Sequence, residues 1–507
     1  MANAVDKLDV RPTQAKVESP SYDESALVRD SSPEESFQWT QQWYPLAVAD
    51  YLDPQRPHAM QLLGKDVVLW RDGTGTWRCF ENACPHRLAP LSEGRIEADG
   101  RLLCAYHAWR FDGSGKCDRI PQSKDLKTEA KYCNDPRSAV AAYPTQERQG
   151  LIWVWGDSSA AAQQASQQRA PRTVPELDSD SNRVVRASWN FRDLAYGWDF
   201  FMENVSDPAH VPVSHHGLVG DRYTGPKFYD MPQLREVTTQ GGFAYSVTPT
   251  PDTISTVTHD FQPPCLMRIS TEFEGSAQLI LVLYATPTLP GQCRHIGQQI
   301  LVKDSTGKTP KGLAFFGLPM PTWLSHILAS LFLHQDMVFL HYQEQIVAQR
   351  ESQRKSWIRE VYTPNPQDKM VIAFRQWLAK RAGGGVPWPA SSTLPPVDVN
   401  KERVFDVWHT HTKNCQVCQT ARSRIGWVRR IAYGAAIFLF GIALMVDART
   451  TALQAALDPT VASRWPMPPT EFWIALVLAG LLMALGYGLQ RLQRLFYRYE
   501  FEHFKNN

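Results

Sequence analysis

Cys84-Pro85-His86 is followed, after 17 residues, by Cys104-Ala105-Tyr106-His107. Two cysteines and two histidines in two tight pairs suit either one tetrahedral zinc ion or a [2Fe–2S] centre of mixed thiolate and imidazole ligation. Zinc ribbons separate the ligands of each pair by two to four residues. One residue separates Cys84 from His86, which suits a thiolate and an imidazole presented to two different irons. Neutral imidazoles in place of two thiolates lower the negative charge on such a cluster and raise its potential. A centre of this kind moves electrons singly and does no oxygen chemistry alone, so the chain needs an acceptor.

The acceptor is expected in Glu203-Asn204-Val205-Ser206-Asp207-Pro208-Ala209-His210, with His215 five residues further on. This stretch resembles the E-N-x-x-D-x-x-H-x4-H mononuclear-iron motif of ring-hydroxylating oxygenases, and the paired boxes around Cys84 and Cys104 resemble their Rieske domain. The resemblance implies that Cys84 and Cys104 ligate the inner iron and His86 and His107 the outer one. It also implies that His210 and His215, rather than the adjacent His216, are two legs of a facial triad around Fe(II), leaving positions for O2. The third leg is expected well downstream. Asp336 is the only acid in the apolar helical stretch Ile327–Leu340, and a buried carboxylate there needs a partner that a metal supplies. Glu344 is its nearest rival. By resemblance Asp207 is a bridge, accepting hydrogen bonds from a mononuclear-site histidine and from His107 of a neighbouring subunit.

Cys415 and Cys418 form a C-x-x-C. It reads as a redox-switching dithiol or as half of a zinc site that His409 and His411 complete. The order of cluster box, iron motif, C-x-x-C and apolar tail resembles the pheophorbide a oxygenase family of plants and cyanobacteria, over about residues 37–490. That family implies ferredoxin as electron donor, thioredoxin acting on the Cys pair, a homotrimer, and a chlorophyll-derived tetrapyrrole as substrate. The expected reaction is oxygenation with O2, foremost opening of the pheophorbide a macrocycle. The alternatives are hydroxylation of protochlorophyllide, chlorophyllide or a phyllobilin, and a non-catalytic membrane redox sensor, which needs no His210, His215 or Asp336.

The elements that must position these residues are legible in outline. Residues 1–36 carry eight acids and four bases, many Ser and Pro and no apolar period, and read as a disordered acidic tail that is neither a secretory signal nor a transit peptide. From Phe37 to Asp157, short runs such as Asp66–Trp70 and Leu151–Trp155 between turn signals predict an all-β Rieske domain. Ser158–Pro171 reads as a linker. A second, α+β domain of helix-grip type follows over residues 172–399, with a helix near 192–206, strands around 242–303, and helices over 324–354 and 369–381. Residues 400–427 hold the Cys pair. Uncharged windows of 16 residues (Ile431–Val446) and 19 residues (Phe472–Gln490) then predict a transmembrane hairpin over 428–490, the other reading being two buried core helices. Arginines flank its outer ends and a basic tail, 491–507, follows, so the soluble domains are expected on the cytoplasmic or stromal face of a cyanobacterial, thylakoid or envelope membrane.

Composition bounds the rest. With 43% apolar and 21% charged residues the chain buries real cores. A net charge of +2 leaves no basic field for nucleic acid, and nine cysteines in 507 residues are too few for a disulfide scaffold.

Overall fold

The computed structural model describes residues 36–247, 255–309, 313, 320–352, 356–458 and 467–503. The acidic tail read over residues 1–36 therefore lies, but for Ser36, outside the described residues. The N-terminal β domain is built from β1 (Trp43–Val48), β2 (His58–Leu62), β3 (Lys65–Arg71), β4 (Trp77–Glu81), β5 (Arg95–Ile96), β6 (Leu102–Leu103), β7 (Arg110–Phe111) and β8 (Cys117–Arg119). Helix α1 (Leu126–Cys133) and strands β9 (Ala142–Tyr143), β10 (Thr145–Arg148) and β11 (Leu151–Trp155) complete it. Its strands form three small antiparallel sheets, ordered β1-β11-β10, β2-β3-β4-β9 and β5-β6-β7-β8. The last is a platform whose flanking turns carry Cys84 and Cys104.

After α2 (Ala162–Gln167), β12 (Val184–Arg186) and β13 (Asn190–Leu194) lead into α3 (Trp198–Val205) and the single turn α4 (Val211–Ser214). Strands β14 (Gln233–Thr238), β15 (Gly242–Val247), β16 (Thr256–Gln262), β17 (Leu266–Phe273), β18 (Ala277–Leu289) and β19 (Gln292–Val302) then form an antiparallel meander in which β12 and β13 both pair with β19. Successive residues of this sheet face opposite sides, as a pleated strand requires. Leu266, Ile280, Val282 and Tyr284 enter a core shared with Trp43, Trp153 and Trp155 of the β domain. Met267 and Ala285 face the other way, onto Phe200, Phe201, Phe374 and Trp377. Each such side chain contributes roughly 1.5–3 kcal/mol on burial.

The helices after the sheet are α5 (Thr322–Glu351), α6 (Trp357–Glu360), α7 (Lys369–Arg381), α8 (Lys401–Val404), α9 (Gln416–Leu457) and α10 (Thr470–Arg494). Two expectations need adjusting. The stretch read as a linker contains α2, and the Trp43 indole donates to the Ser166 and Arg169 carbonyls at 3.3 and 2.8 Å, so it is packed rather than loose. The helix expected near residue 192 begins only at Trp198, because Asn190–Leu194 is claimed by the edge of β19.

Helices α9 and α10 are long and apolar enough to cross a membrane, with mean hydropathy of 2.0 and 2.1 over their best windows. Most of their large apolar side chains are exposed, Ile437 and Phe438 by 70% and 67%, which is unlike core helices of a soluble domain. The seam between them is lined by Ala432, Ala436, Ala475 and Ala479, with Gly486 lying where any Cβ would strike the Tyr433 ring. One helix runs from Gln416 through the first apolar window, about 63 Å at 1.5 Å per residue. The Cys pair thus sits at the root of that helix.

Candidate metal centres

The two loops that carry the cluster-box residues are built alike. In each, the cysteine amide donates to a carbonyl five residues on, Ala89 or Trp109, both at 2.8 Å. The amides of Leu88 and Ala108 return to the Cys84 and Cys104 carbonyls at 2.8 and 3.0 Å. Leu88 and Ala108 take φ of 58° and 57°, and this left-handed residue lets each short loop turn back on itself. The result buries Cys84 and Cys104 and leaves His86 exposed and His107 half-buried. The two imidazoles lie side by side, ring centroids 4.5 Å apart, with His86 stacked on Trp109 at 4.8 Å. Burial pushes the Cys84 thiol well above its ordinary pKa, so a sulfur there becomes thiolate only beside a cation. Among the described residues, two groupings bring three or more ligand atoms within 4.8 Å of one another, and these four residues are neither of them. They form a sulfur pair and an imidazole pair, which suits two irons better than one zinc ion.

The first of those groupings is His210, His215 and Asp336. Pro212 sits in the first turn of α4, a turn too short to do more than set the two histidines at its ends, ring centroids 5.4 Å apart. Helix α5 brings Asp336 between them, its Oδ2 lying 3.2 Å from His215 Nε2 and 3.7 Å from His210 Nε2. The other nitrogen of each ring is occupied. His210 Nδ1 donates to the Asp207 carbonyl at 2.5 Å and His215 Nδ1 to Gln335 Oε1 at 2.9 Å, which leaves both Nε2 lone pairs aimed at one point. Phe332 stacks on the His215 ring at 3.8 Å. The Asp336 carboxylate accepts from Asn204 Nδ2 at 3.2 Å and from the Ser214 hydroxyl. Burial works against that carboxylate, but His215, His210 and Ser214 outweigh it and hold its pKa below the usual value. Burial likewise opposes charge on His210, and Asp207 and Asp336 overcome it and raise its pKa. Two imidazoles and one carboxylate, with their ligand atoms within 4.8 Å of one another, are the donor set of a mononuclear non-haem iron site.

The remaining candidates sort themselves by position. Glu344 lies two turns along α5 from Asp336 and accepts the Gly197 amide at 3.0 Å, away from the histidines. His216 accepts the Arg222 amide at 3.0 Å through Nδ1 and stands outside the triad. Asp207 keeps Oδ1 on the Ala209 amide at 2.7 Å and Oδ2 3.6 Å from His210 Nδ1, with 29% of its side chain exposed. Glu203 faces inward to Arg375 Nε at 2.5 Å, and Arg375 also holds Asp199 at 2.8 Å, which fixes α3 against α7. Cys415 and Cys418 are buried and meet His411 and a residue that sequence reasoning missed, His326. His409 stays outside, exposed and paired to Asp406 at 2.5 Å. His326 lies 89 positions before Cys415, and no local pattern marks it.

Sequence comparison reaches the same class of protein. The Rieske [2Fe-2S] domain model matches residues 42–130, a span that includes both ligand loops. With the α+β domain behind it, the chain is a Rieske non-haem iron oxygenase, and its donor sets suit that class's cluster and mononuclear iron. The structure of dicamba monooxygenase bound to dicamba shares the fold, with a TM-score of 0.53 and 18% identity over 68% of this chain and 98% of that one. The pheophorbide a oxygenase model matches residues 261–354, which contain α5 and Asp336. A chloroplastic pheophorbide a oxygenase of Oryza sativa subsp. japonica is 33% identical over 424 residues, 80% of this chain and 78% of the relative. A chloroplastic flavonoid 8-hydroxylase 2 of Ocimum basilicum is 30% identical over 470 residues, 85% of this chain and 83% of its own. The chain belongs to the pheophorbide a oxygenase family.

Proposed function

We propose that this chain oxygenates a chlorophyll-derived tetrapyrrole at His210, His215 and Asp336, using O2 and electrons from a ferredoxin, with opening of the pheophorbide a macrocycle as the reaction. The observation that carries it is the convergence of those three side chains on one point inside a family whose members include pheophorbide a oxygenases. Cys84 and Cys104 would hold the inner iron of the cluster, His86 and His107 the outer one, and the triad a single Fe(II). When bound, the cluster supplies electrons one at a time and the mononuclear iron supplies O2 activation.

The chain's own residues bind and orient. Gln335 and the Asp207 carbonyl fix the tautomers of His215 and His210, so that both Nε2 atoms are free to ligate. Ser214 and Asn204 hold the Asp336 carboxylate and restrain its rotation. The Asp207 carboxylate, partly exposed beside His210, would accept a hydrogen bond from the His107 imidazole of a neighbouring subunit in a homotrimer. The exposed faces of α9 and α10 would anchor the enzyme in a chloroplast or cyanobacterial membrane, where a chlorin partitions, with the soluble domains on the stromal or cytoplasmic side.

A second reading, hydroxylation of an intact planar ring system, is favoured by the flavonoid hydroxylase relative, whose match covers more of the chain. Single turnover of pre-reduced, detergent-purified protein with pheophorbide a under isotopically labelled O2, read by mass spectrometry, separates the two. Label in a ring-opened product supports the first reading. Label in an intact hydroxylated chlorin supports the second, and so does label found only in protochlorophyllide, chlorophyllide or a flavone offered next. No label in any of them, with all irons present, overturns the tetrapyrrole assignment.

A further inference from the structure

The second grouping of ligand atoms lies in the core, away from both iron centres and unused by the chemistry above. His326 comes from the second turn of α5, His411 and Cys415 from the stretch before α9, and Cys418 from the first turn of α9. All four are at most 2% exposed. His326 Nδ1 and His411 Nε2 are 3.2 Å apart, and each is 3.2 Å from Cys418 Sγ. Cys415 Sγ is 3.7 Å from His326 Nδ1. A tetrahedral zinc ion with nitrogen ligands at about 2.0–2.1 Å and sulfur ligands at about 2.3 Å sets ligand-to-ligand edges of roughly 3.3–3.8 Å. Those four separations of 3.2–3.7 Å lie near these edges, and all four donor atoms fall within 4.8 Å of one another.

The outward nitrogens decide what the inward ones carry. His326 Nε2 donates to the Trp189 carbonyl at 2.8 Å and His411 Nδ1 to the Phe191 carbonyl at 2.7 Å. A carbonyl can only accept, so those nitrogens hold the ring protons. In the neutral rings the inward nitrogens are then bare lone pairs facing each other at 3.2 Å, an arrangement that a cation between them relieves. Backbone carbonyls behind ligating imidazoles are the usual outer support of a metal site. A zinc ion with two thiolates is also electrically neutral overall, which is what burial demands. A Cys415–Cys418 disulfide would instead occupy both sulfurs and leave the two lone pairs unanswered.

We propose that His326, His411, Cys415 and Cys418 bind one zinc ion as a closed structural site. Binding releases one proton from each thiol and forms two zinc–sulfur and two zinc–nitrogen bonds. The ion ties together β13, the start of α5 and the root of α9. His326 and Asp336 are ten residues apart on α5, about 15 Å along its axis. Strand β13 runs into α3 and on to Asp207 and His210. The zinc therefore braces both segments that deliver iron ligands against the base of the apolar hairpin.

The test is elemental analysis of the purified holo-protein after exhaustive dialysis against a chelator, with X-ray absorption at the zinc edge on the same sample. The expected result is about one zinc per chain, with two sulfur and two nitrogen neighbours. Cys418→Ser and His326→Gln are each expected to lose that zinc while the cluster keeps its visible and electron paramagnetic spectra. The absorption measurement needs no variant, so it decides the question even where a substitution prevents folding. Wild-type protein without zinc, or with zinc bound only to oxygen and nitrogen, overturns the proposal. A Cys415–Cys418 disulfide forming reversibly in folded, zinc-free protein overturns it too and establishes the dithiol switch.

Discussion

Helix α5 carries a donor to two cages, and they differ in closure. Asp336 is one of three donors, with His210 half-buried and the Nε2 atoms of His210 and His215 both directed toward the carboxylate. His326 is one of four donors, all of them buried. Three ligands leave coordination positions for O2 and substrate, whereas four close a tetrahedron. The same helix thus serves a reactive site and a brace, and the count and burial of donors separate the roles more clearly than residue type does, since histidine serves both.

That comparison can be broken most severely at the open cage. Asp336→Ala is expected to abolish turnover while the cluster's visible spectrum persists, because the cluster residues belong to a separate core. Retained turnover would return Glu344 or another acid to the role. Asp207→Asn is expected to keep both metals yet lose turnover, checked by iron content beside steady-state assay, since Asp207 lies next to His210 without being one of the three converging donors. Gln335→Ala removes only the support behind His215, and its expected cost is roughly 10–100-fold in iron affinity or kcat. An unchanged kcat with unchanged iron content would mean that packing on Phe332 suffices to orient the ring.

The smallest effect concerns stability rather than chemistry. Burial, and then the Asp199 charge, push the Glu344 carboxyl from its ordinary 4.5 up to about 8. The folded chain therefore holds a proton that the unfolded chain releases. The stability this confers is complete below 4.5 and is lost as pH rises through about 8. Glu344→Gln keeps an acceptor for the Gly197 amide and is expected to flatten that decline, with a gain on the order of a few kcal/mol at the alkaline end, measured by denaturant titration at several pH values.

Much of this was legible in the sequence where the chemistry is local. Cys84 with His86, Cys104 with His107, and His210 with His215 are each neighbours along the chain, so their spacing carries the family resemblance that singles them out. Asp336 was legible for a different reason, as one acid in an apolar run. His326 was not, because it meets Cys418 only through the packing of α5 against α9, and a histidine in a helix carries no mark of what it will touch. Residues 192–194, expected at the start of a helix, close the strand Asn190–Leu194, and Arg192 occupies an inward position in it. It is 1% exposed there, donating to Ser330 Oγ at 3.2 Å and the Asp406 carbonyl at 2.9 Å, and a charge at that place hides the alternation of a half-buried strand. The α2 helix was hidden by an Ala, Gln and Ser composition that also suits a loose linker.

One measurement tests most directly whether the two cages on α5 do different work: a metal inventory of wild-type protein beside Asp336→Ala, by element-resolved mass spectrometry. About three irons and one zinc per chain are expected in the wild type, and about two irons with the zinc retained in the variant. Two irons in the wild type, or zinc departing together with the third iron, would contradict that expectation.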